Sequence, residues 1–305
     1  MSRDHGDAVS PPRVIVVAKR SAYRRFVVDE RDPRAEQLLR RRDPSVASWF
    51  EAHREHERTL IALEKVLDAC GAQVMWVQRA HAMFDASGAA LVIAVGGDGT
   101  LLAASHSLDS VPILGVNSAP KHSVGFFCAA RRDNLGELVP RALDGELRSV
   151  TLTRMRVSVN GRLRSLRILN DALYAHSSPA ATSRYILRIG EIEEEHRSSG
   201  FWIGPAAGST AALSSAGGRV LPLASRKLQL VVREPYAPFG RRYRLLKRLI
   251  EPGETVLVRS KMDEAMVWLD GPHRQFPVRL GERVEFGVSE TPLTVLGLTS
   301  KRAQR

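Results

Sequence analysis

Short apolar runs alternate with polar, helix-forming stretches through the first half of the chain. Each run is four to six residues long and rich in β-branched side chains, so we predict a buried parallel strand at each of them. The runs are Val14–Ala18, Val74–Val77, Leu91–Val95 and Val111–Val116. Apolar residues then recur at helical spacing from about Ser45 to Ala69, and Gly71 follows as a stop signal. The arginine-rich stretch before Pro44 is predicted to be a long loop. This alternation predicts an α/β domain with a doubly wound, mainly parallel sheet.

The pattern changes near residue 150, where short alternating segments and turn dipeptides replace the strand–helix alternation. Turn signals such as Asn160-Gly161 and Pro252-Gly253 separate many of the segments. We therefore predict a β-rich, largely antiparallel second domain. The expected boundaries are 13–145 for the α/β domain, 146–290 for the β-rich domain, and 291–305 for a last strand and tail that could return to the first domain. The predicted strands are Arg154–Val159, Leu166–Leu169, Tyr185–Ile189, Leu228–Val232, Thr255–Arg259, Met266–Leu269, Val278–Leu280 and Leu293–Leu298.

Composition narrows the class of protein. The chain has 305 residues, 44% hydrophobic and 26% charged, as expected for a soluble globular enzyme with two domains. No stretch is apolar for long enough to span a membrane. The segment Met1–Pro12 lacks the features of a targeting signal, and we expect a short disordered lead-in and a cytoplasmic protein. The two cysteines, Cys70 and Cys128, have no metal-ligand spacing and are expected to be reduced thiols.

The net charge of +12 favours a polyanionic partner. Nucleotide phosphates and nucleic acid both qualify, but no recognisable nucleic-acid module is present, so nucleic acid is the weaker candidate. The densest basic run, Gly240–Arg248, is expected to be a solvated face in a loop or short helix, with a phosphate or partner contact as the alternative.

The segment Gly96–Thr100, with the sequence Gly-Gly-Asp-Gly-Thr, carries the clearest chemistry. It follows a predicted strand and opens a helix-like segment, Leu101–His106. Its glycines allow a ligand to approach the backbone, and the free N–H groups of a helix start bind phosphate oxygens. Asp98 in the middle of this turn could hold Mg²⁺ or take a proton from an attacking hydroxyl. A tight turn with Asp98 as helix N-cap is the alternative, and five residues do not decide between them.

Three further segments add polar groups at strand ends or in loops. Gly115–Ser118 follows its own strand and so lies at the same sheet edge as Asp98. Leu169–Asp171 ends a strand with two groups that could bond a ribose hydroxyl. Gly204–Ala212 is a loop of small residues in which Ser209 and Thr210 supply hydroxyl donors. Each segment taken singly is more typical of turn chemistry than of a site.

The order of these four segments resembles the NAD kinase family, ATP-dependent enzymes that phosphorylate the 2′-hydroxyl of the adenosine ribose of NAD. The resemblance extends from about Val14 to Leu298. Details such as Val16–Lys19 and Arg197–Gly200 are most similar to the mitochondrial-type branch.

The resemblance implies a role for individual residues. Asp98 would act as general base on the ribose hydroxyl or orient it. Asn170 and Asp171 would hold the ribose of the second substrate. Ser199 stands where most bacterial members have aspartate, and Ala212 where they have a tyrosine that could stack on the substrate. The nucleotide-binding positions implied are Gly96, Gly97, Gly99, Thr100, Asn117, Phe126, Asn170, Asp171, Ser199, Ser209, Thr210 and Ala211.

The resemblance also implies partners: NAD, ATP with Mg²⁺, and a second copy of the chain in a homodimer or larger assembly built through the β-rich domain. No protein residue is predicted as a metal ligand, and a metal site shared by His53 and His56 is disfavoured. No Walker-type lysine motif is present, so backbone N–H groups, Mg²⁺ and an arginine would neutralise the phosphates. Phe201, Trp202 and Trp268 are expected to fill the core. The alternatives are a related kinase acting on a lipid or sugar hydroxyl, and a non-catalytic nucleotide- or nucleic-acid-binding protein.

Overall fold

The computed structural model describes residues 10–78, 81–237, 240 and 242–298. Their chain forms two compact units. The first contains the residues up to Ser107, then Val111–Arg148 and Val295–Leu298. The second contains Leu108–Ser110 and Ser149–Thr294. Most of the predicted lead-in and the end of the predicted tail lie outside the described residues.

A parallel sheet forms the centre of the first unit, as predicted. Its strands lie in the order β2-β1-β3-β4-β19, with β5 beside β4. Every residue of β3 is buried, because apolar side chains on both faces of the strand are covered. The strands are β1 (Arg13–Ala18), β2 (Gln73–Val77), β3 (Leu91–Gly96), β4 (Ile113–Asn117), β5 (Ala130–Arg131) and the last strand of the chain, β19 (Leu293–Leu296).

Helices cover this sheet. Leu63 and Leu67 from the longest helix pack against Val14 and Ile93 in one apolar cluster. The helices are α1 (Pro33–Arg40), α2 (Trp49–Ala69), α3 (Asp98–Ser105) and α4 (Leu135–Leu143).

The prediction of a long loop before Pro44 is wrong. A π-helical turn spans Arg24–Asp29, and α1 follows it. The Asp32 carboxylate accepts a hydrogen bond from the backbone N–H of Arg34 at 2.8 Å, and Pro33 occupies the first helical turn, where its missing N–H costs nothing. The cap and the proline therefore start a helix inside a stretch whose polarity suggested a loop. Helix α2 begins at Trp49, not Ser45, because a 3₁₀ turn at 44–46 precedes it.

Two antiparallel six-stranded sheets form the second unit, and this confirms the β-rich prediction. Their orders are β11-β10-β15-β18-β7-β8 and β14-β13-β12-β9-β16-β17. Tyr174, Tyr185, Phe201 and Phe286 are fully buried in the apolar cluster to which both sheets contribute. The strands of the two sheets are β7 (Met155–Val159), β8 (Arg162–Ile168), β9 (Ala172–His176), β10 (Ser183–Ile189), β11 (Ile192–Ser198), β12 (Phe201–Pro205), β13 (Leu228–Val232), β14 (Lys247–Ile250), β15 (Val256–Ser260), β16 (Ala265–Leu269), β17 (Gln275–Val278) and β18 (Arg283–Val288). The strand β6 (Ser149–Leu152) belongs to neither of these sheets, and α5 (Ala212–Ser215) is the short α-helix of the unit.

Six strands of the second unit are missing from the predicted set, namely β6, β9, β11, β12, β14 and β18, and a charged one among them shows a physical reason. β11 carries three consecutive glutamates, and it pairs with β10 so that Glu193 lies opposite Arg188. Cross-strand charge pairing therefore supports a strand that apolar alternation does not reveal. The end of the basic run 240–248 is also a strand, since Lys247 and Arg248 belong to β14, whereas Arg241 lies outside the described residues.

The three aromatic side chains that were predicted to fill the core differ in their burial. Phe201 is buried in the core, but Trp202 and Trp268 are only half-buried, so these two indoles do not fill it. Both cysteines are free thiols. Among the described residues, no helix combines the length and the apolar character that crossing a membrane requires.

Candidate functional site

The glycine turn, Gly96–Thr100, connects β3 to α3. Gly97 is the N-cap, with an extended backbone, and Asp98 is the first residue of the helix. The alternative of Asp98 as N-cap is therefore wrong. A Cβ at Gly96 would collide with the side chain of Thr100, and one at Gly97 with the hydroxyl of Ser123. The two glycines are required by close packing around the turn.

Both carboxylate oxygens of Asp98 accept hydrogen bonds from the backbone. The N–H of Phe126 donates to Oδ2 at 2.9 Å, and the N–H of Phe127 donates to Oδ1 at 2.7 Å. Such charge-assisted bonds fix the carboxylate relative to the loop that follows β4. Each carboxylate oxygen has a second acceptor position, so Asp98 retains the capacity to accept a proton or a further hydrogen bond.

Asn117 shapes the same loop from the end of β4. Its Nδ2 donates to the carbonyl of Ser123 at 3.0 Å, and its Oδ1 accepts the N–H of Ala119 at 3.3 Å. Gly125 has a φ of +63° and lies against the Asn117 amide, where a Cβ would collide. The side chain implied to contact nucleotide is thus engaged within the chain. The ring of Phe126 is half-buried and meets Phe127 edge-on at 5.1 Å between centroids.

A cation beside the turn was missed by the sequence reasoning. Lys19 is the first residue after β1, and its N–H donates to the carbonyl of Val95 at 3.1 Å. Its Cδ would lie 3.2 Å from a Cβ at Gly96. Burial lowers the pKa of the Lys19 ammonium below its ordinary value. A lysine directly after an apolar strand at the edge that carries a glycine turn was the signal available in the sequence.

In the second unit, the strand-end pair, Asn170 and Asp171, lies just beyond β8. The carboxylate of Asp270 accepts hydrogen bonds from three successive backbone N–H groups, those of Leu169 at 2.9 Å, Asn170 at 2.7 Å and Asp171 at 3.1 Å. The N–H of Asp270 in turn donates to the carbonyl of Asp171 at 2.9 Å. Asp270 is not among the residues that the sequence predicts for the site, so the sequence reasoning missed its part in holding the pair.

The side chains of the strand-end pair are in an unusual environment. Asp171 is 7% exposed, and burial, followed by the charge of Asp270, raises its pKa from 3.8 to about 7. Asn170 Oδ1 is buried with no hydrogen-bond partner in the part of the chain that the structure describes. A strongly shifted carboxyl group beside an unsatisfied amide oxygen is typical of a binding site.

The small-residue segment, Gly204–Ala212, packs directly on the strand-end pair. A Cβ at either Gly204 or Gly208 would collide with the carbonyl oxygen of Asn170. The structure thus brings together two motifs that are far apart in sequence. The segment is a 3₁₀ turn followed by α5, not an open loop.

The polar residues of this segment differ in their availability. The buried Ser209 hydroxyl donates to the carbonyl of Ala206 at 2.8 Å and accepts the N–H of Leu221 at 2.9 Å, so it is used inside the chain. Thr210 is exposed, and Ala211 is half-buried.

Two cavities adjoin the implied positions in this unit. Ser199, with Arg233 and Trp268, lines one of about 260 Å³, and Ala212, with Trp202, lines another of about 550 Å³. The Arg233 guanidinium donates to the carbonyl of Ser199 at 3.1 Å.

A metal site built only from protein side chains is not seen within the described ranges, where no three His, Cys, Asp or Glu residues cluster. His53 and His56 instead bond different serines, Ser21 at 3.0 Å and Ser118 at 2.9 Å.

A glycine turn with a fixed carboxylate at the edge of a parallel sheet is typical of nucleotide-binding phosphotransferases. Comparisons with known proteins identify the family. The model of a protein family described as "ATP-NAD kinase N-terminal domain" matches residues 22–147. A probable NADH kinase of Oryza sativa subsp. japonica is 36% identical over 84% of this chain and 85% of its own length. An NADH kinase of Arabidopsis thaliana is 33% identical over 83% and 86%.

The fold agrees with a solved structure as well. A crystal structure of an NAD kinase from Archaeoglobus fulgidus in complex with ATP matches with a TM-score of 0.64 at 21% identity, over 93% of this chain and 92% of that one. The chain belongs to the NAD kinase family, whose members are enzymes that phosphorylate NAD.

Proposed function

We propose that the protein transfers the γ-phosphoryl group of ATP to the 2′-hydroxyl of the adenosine ribose of NAD. In this reaction the ribose oxygen forms a bond to the γ-phosphorus, the bond from that phosphorus to the β,γ-bridging oxygen breaks, and ADP leaves with NADP as the second product. Asp98 takes the proton of the hydroxyl. Its fixed carboxylate, bonded by the N–H groups of Phe126 and Phe127, is the single observation that carries this proposal.

The physical reason lies in the weakness of a ribose hydroxyl as a nucleophile. A carboxylate that is already oriented removes the proton without first reorganising, and a positioned general base typically contributes about 10² to 10⁴ in rate. The glycine turn supplies the phosphate side of the reaction through the N–H groups at the start of α3. When bound to ATP, Mg²⁺ would neutralise charge on the phosphates.

We assign the strand-end pair to a ribose of the substrate. The unpartnered Oδ1 of Asn170 would accept a hydrogen bond from a ribose hydroxyl, and the carboxyl group of Asp171 would make a second bond to the sugar. The exposed Thr210 and the neighbouring Ala211 would line the dinucleotide site, with Ser199 on the far side of Arg233.

Replacing Asp98 tests the proposal. Asp98→Asn keeps an acceptor oxygen but removes the base, and we expect NADP formation from ATP, Mg²⁺ and NAD to fall by about 10² to 10⁴ in kcat while the thermal unfolding midpoint shows a folded protein. Asp68→Asn, on the exposed face of α2, is the matched control and should retain full activity. Full turnover by Asp98→Asn would refute the role of Asp98 as a base.

NADH is a second candidate acceptor. The two plant relatives with high coverage carry the name NADH kinase. Ala212 also leaves space where a tyrosine would contact the substrate, in a cavity of about 550 Å³ that Trp202 lines as well. Initial rates with NAD and NADH at equal concentrations decide the preference, and a rate with NADH below a few per cent of that with NAD would exclude it.

The assembly and location of the protein complete the proposal. We propose a homodimer built through the β-rich unit and a cytoplasmic site of NADP synthesis, on the basis of the family resemblance. Sedimentation velocity at several protein concentrations tests the dimer, and fractionation of the source cells tests the location.

A further inference from the structure

The proposed reaction needs a cation for the phosphates, and the chain has no Walker-type lysine. Lys19 lies where such a cation would be needed. The strand β1 pairs in parallel with β3, with Ala18 opposite Val95, so Lys19 and Gly96 leave the sheet side by side. The lysine side chain then lies across the backbone of Gly96, as its Cδ is 3.2 Å from the position that a Cβ there would occupy.

The base of Lys19 is held on both sides. Its N–H donates to the carbonyl of Val95 at 3.1 Å. The imidazole of His56 makes a hydrogen bond with the backbone of Lys19 and a second one, at 2.9 Å, with the hydroxyl of Ser118. Burial, and after it the charge of Lys19, lowers the pKa of His56 to about 4, so this histidine is neutral at physiological pH. The lysine therefore starts from a fixed point at the sheet edge.

The charged end of Lys19 is not neutralised by the protein. Within the described residues it forms no ion pair with a carboxylate. Two titratable groups interact with it, the thiol of Cys128 and the imidazole of His56. Burial raises the pKa of the thiol to about 12 and lowers that of the imidazole to about 4, so neither group carries a charge. Asp98 also acts on that thiol, but its two oxygens face the N–H groups of Phe126 and Phe127. A half-buried cation without an anion is unfavourable, and an anionic ligand would relieve that cost.

We propose that Lys19 binds the terminal phosphates of ATP at the glycine turn and takes the part that a Walker-type lysine has in other kinases. This proposal rests on the proposed function for the identity of the donor. Side-chain length supports it, because the flexible lysine chain starts beside Gly96 and needs no other element to reach a phosphate at the glycine turn. The phosphates of ATP, not a protein carboxylate, would then supply the negative charge that compensates Lys19.

Binding measurements on variants test the proposal without turnover. Lys19→Met keeps the unbranched shape and most of the length of the side chain and removes its charge. We expect the affinity for Mg-ATP, and for inorganic tripolyphosphate as a probe without a nucleoside, to fall about tenfold or more by calorimetry, while the affinity for NAD changes less than about twofold. Lys19→Arg should restore most of the tripolyphosphate affinity. Lys65→Met, exposed on α2, is the matched control and should bind all three ligands as the unchanged protein does.

Chemical labelling makes the test independent of the variants. Limited acetylation followed by mass spectrometry should modify Lys19 in the unchanged protein, and saturating Mg-ATP should protect Lys19 but not Lys65. Equal labelling of Lys19 with and without ATP, or unchanged phosphate affinity in a folded Lys19→Met, would overturn the inference. Protein that binds ATP through Lys19 but phosphorylates neither NAD nor NADH would refute the proposed function and leave the role of Lys19 standing. Protein that binds neither ATP nor tripolyphosphate would refute both.

Discussion

The glycine turn of the first unit and the strand-end pair of the second treat their charged groups in opposite ways. In the turn, the carboxylate of Asp98 receives two backbone N–H groups, and the cation of Lys19 has no protein anion. At the strand end, Asp270 takes the N–H groups, whereas Asp171 is buried beside it and has a pKa near 7. The glycine turn thus keeps the positive charge of Lys19 without a protein anion. The strand-end pair disfavours the ionised form of Asp171. The difference suits a phosphate in one region and an uncharged sugar hydroxyl in the other.

Glycines serve the two regions differently as well. Gly96 faces the side chains of Thr100 and Lys19, of which the Thr100 hydroxyl and the lysine chain can rotate, whereas the Thr100 Cβ is fixed by the helix backbone. Gly208 faces the backbone of Asn170, including its carbonyl oxygen, which cannot move without displacing the strand end. Close packing in the first region is thus side chain against backbone, and in the second it is backbone against backbone.

The largest expected effect follows from that contrast. Gly208→Ala should lower the free energy of unfolding by about 3 kcal/mol or more, because a methyl group would force two backbone segments apart. Gly96→Ala should cost about 1 to 2 kcal/mol, since the Thr100 hydroxyl and Lys19 can turn away and only the Thr100 Cβ must shift with the first turn of α3. Urea unfolding of both variants measures the difference. Gly136→Ala, in α4 with open space around it, is the control and should be neutral or slightly stabilising. Equal losses for the two site variants would remove the distinction.

A smaller effect is expected from Asp270→Ala. Three N–H groups lose a charged acceptor, but the repulsion on Asp171 also disappears, so the net loss of unfolding free energy should be about 2 kcal/mol. The same change should move the pKa of Asp171 downward, because the charge of Asp270 contributes to raising it. Titration of the Asp171 carboxyl by NMR checks this, with the exposed Asp263→Ala as the comparison. An unchanged pKa would mean that burial alone sets the environment of Asp171.

The smallest expected effect concerns pH. The folded state raises the pKa of Asp171 above its ordinary value of 3.8, to about 7, so the folded protein binds a proton more tightly than the unfolded chain does. Its contribution to stability is therefore present below pH 4 and is lost as the pH rises towards 7. Asp171→Asn should flatten this dependence and stabilise the protein by about 1 kcal/mol at pH 8, because the amide avoids the buried charge but has N–H donors to satisfy. The free energy of unfolding at pH 5 and pH 8, measured for both proteins, gives the pH dependence and the stabilisation. If Asp171→Asn shows a pH dependence as steep as that of the unchanged protein, another group causes it.

The sequence predicted those parts of the fold whose pattern is local. Apolar runs such as Leu91–Val95 identify strands because burial on both faces leaves no room for polar residues. Helix α1 was missed because its start depends on the cap at Asp32, inside a stretch whose overall polarity is that of a loop. β11 was missed for a similar reason, since its glutamates are stabilised by partners on another strand.

For the site, the sequence determined the residue types and the edge of the sheet at which each motif lies. Parallel strands bring their carboxyl ends to one edge, so the glycine turn and Asn117 could be placed together from their order alone. Only the tertiary structure decided that Asp98 is held by Phe126 and Phe127, that Asn170 packs on Gly208, and that Lys19 stands beside Gly96 without an anion. Hydrogen bonds and pKa shifts depend on which groups a fold brings within a few ångströms of each other and how far it removes them from water. Residues that are distant along the chain carry no local sequence pattern that reports this proximity or this burial.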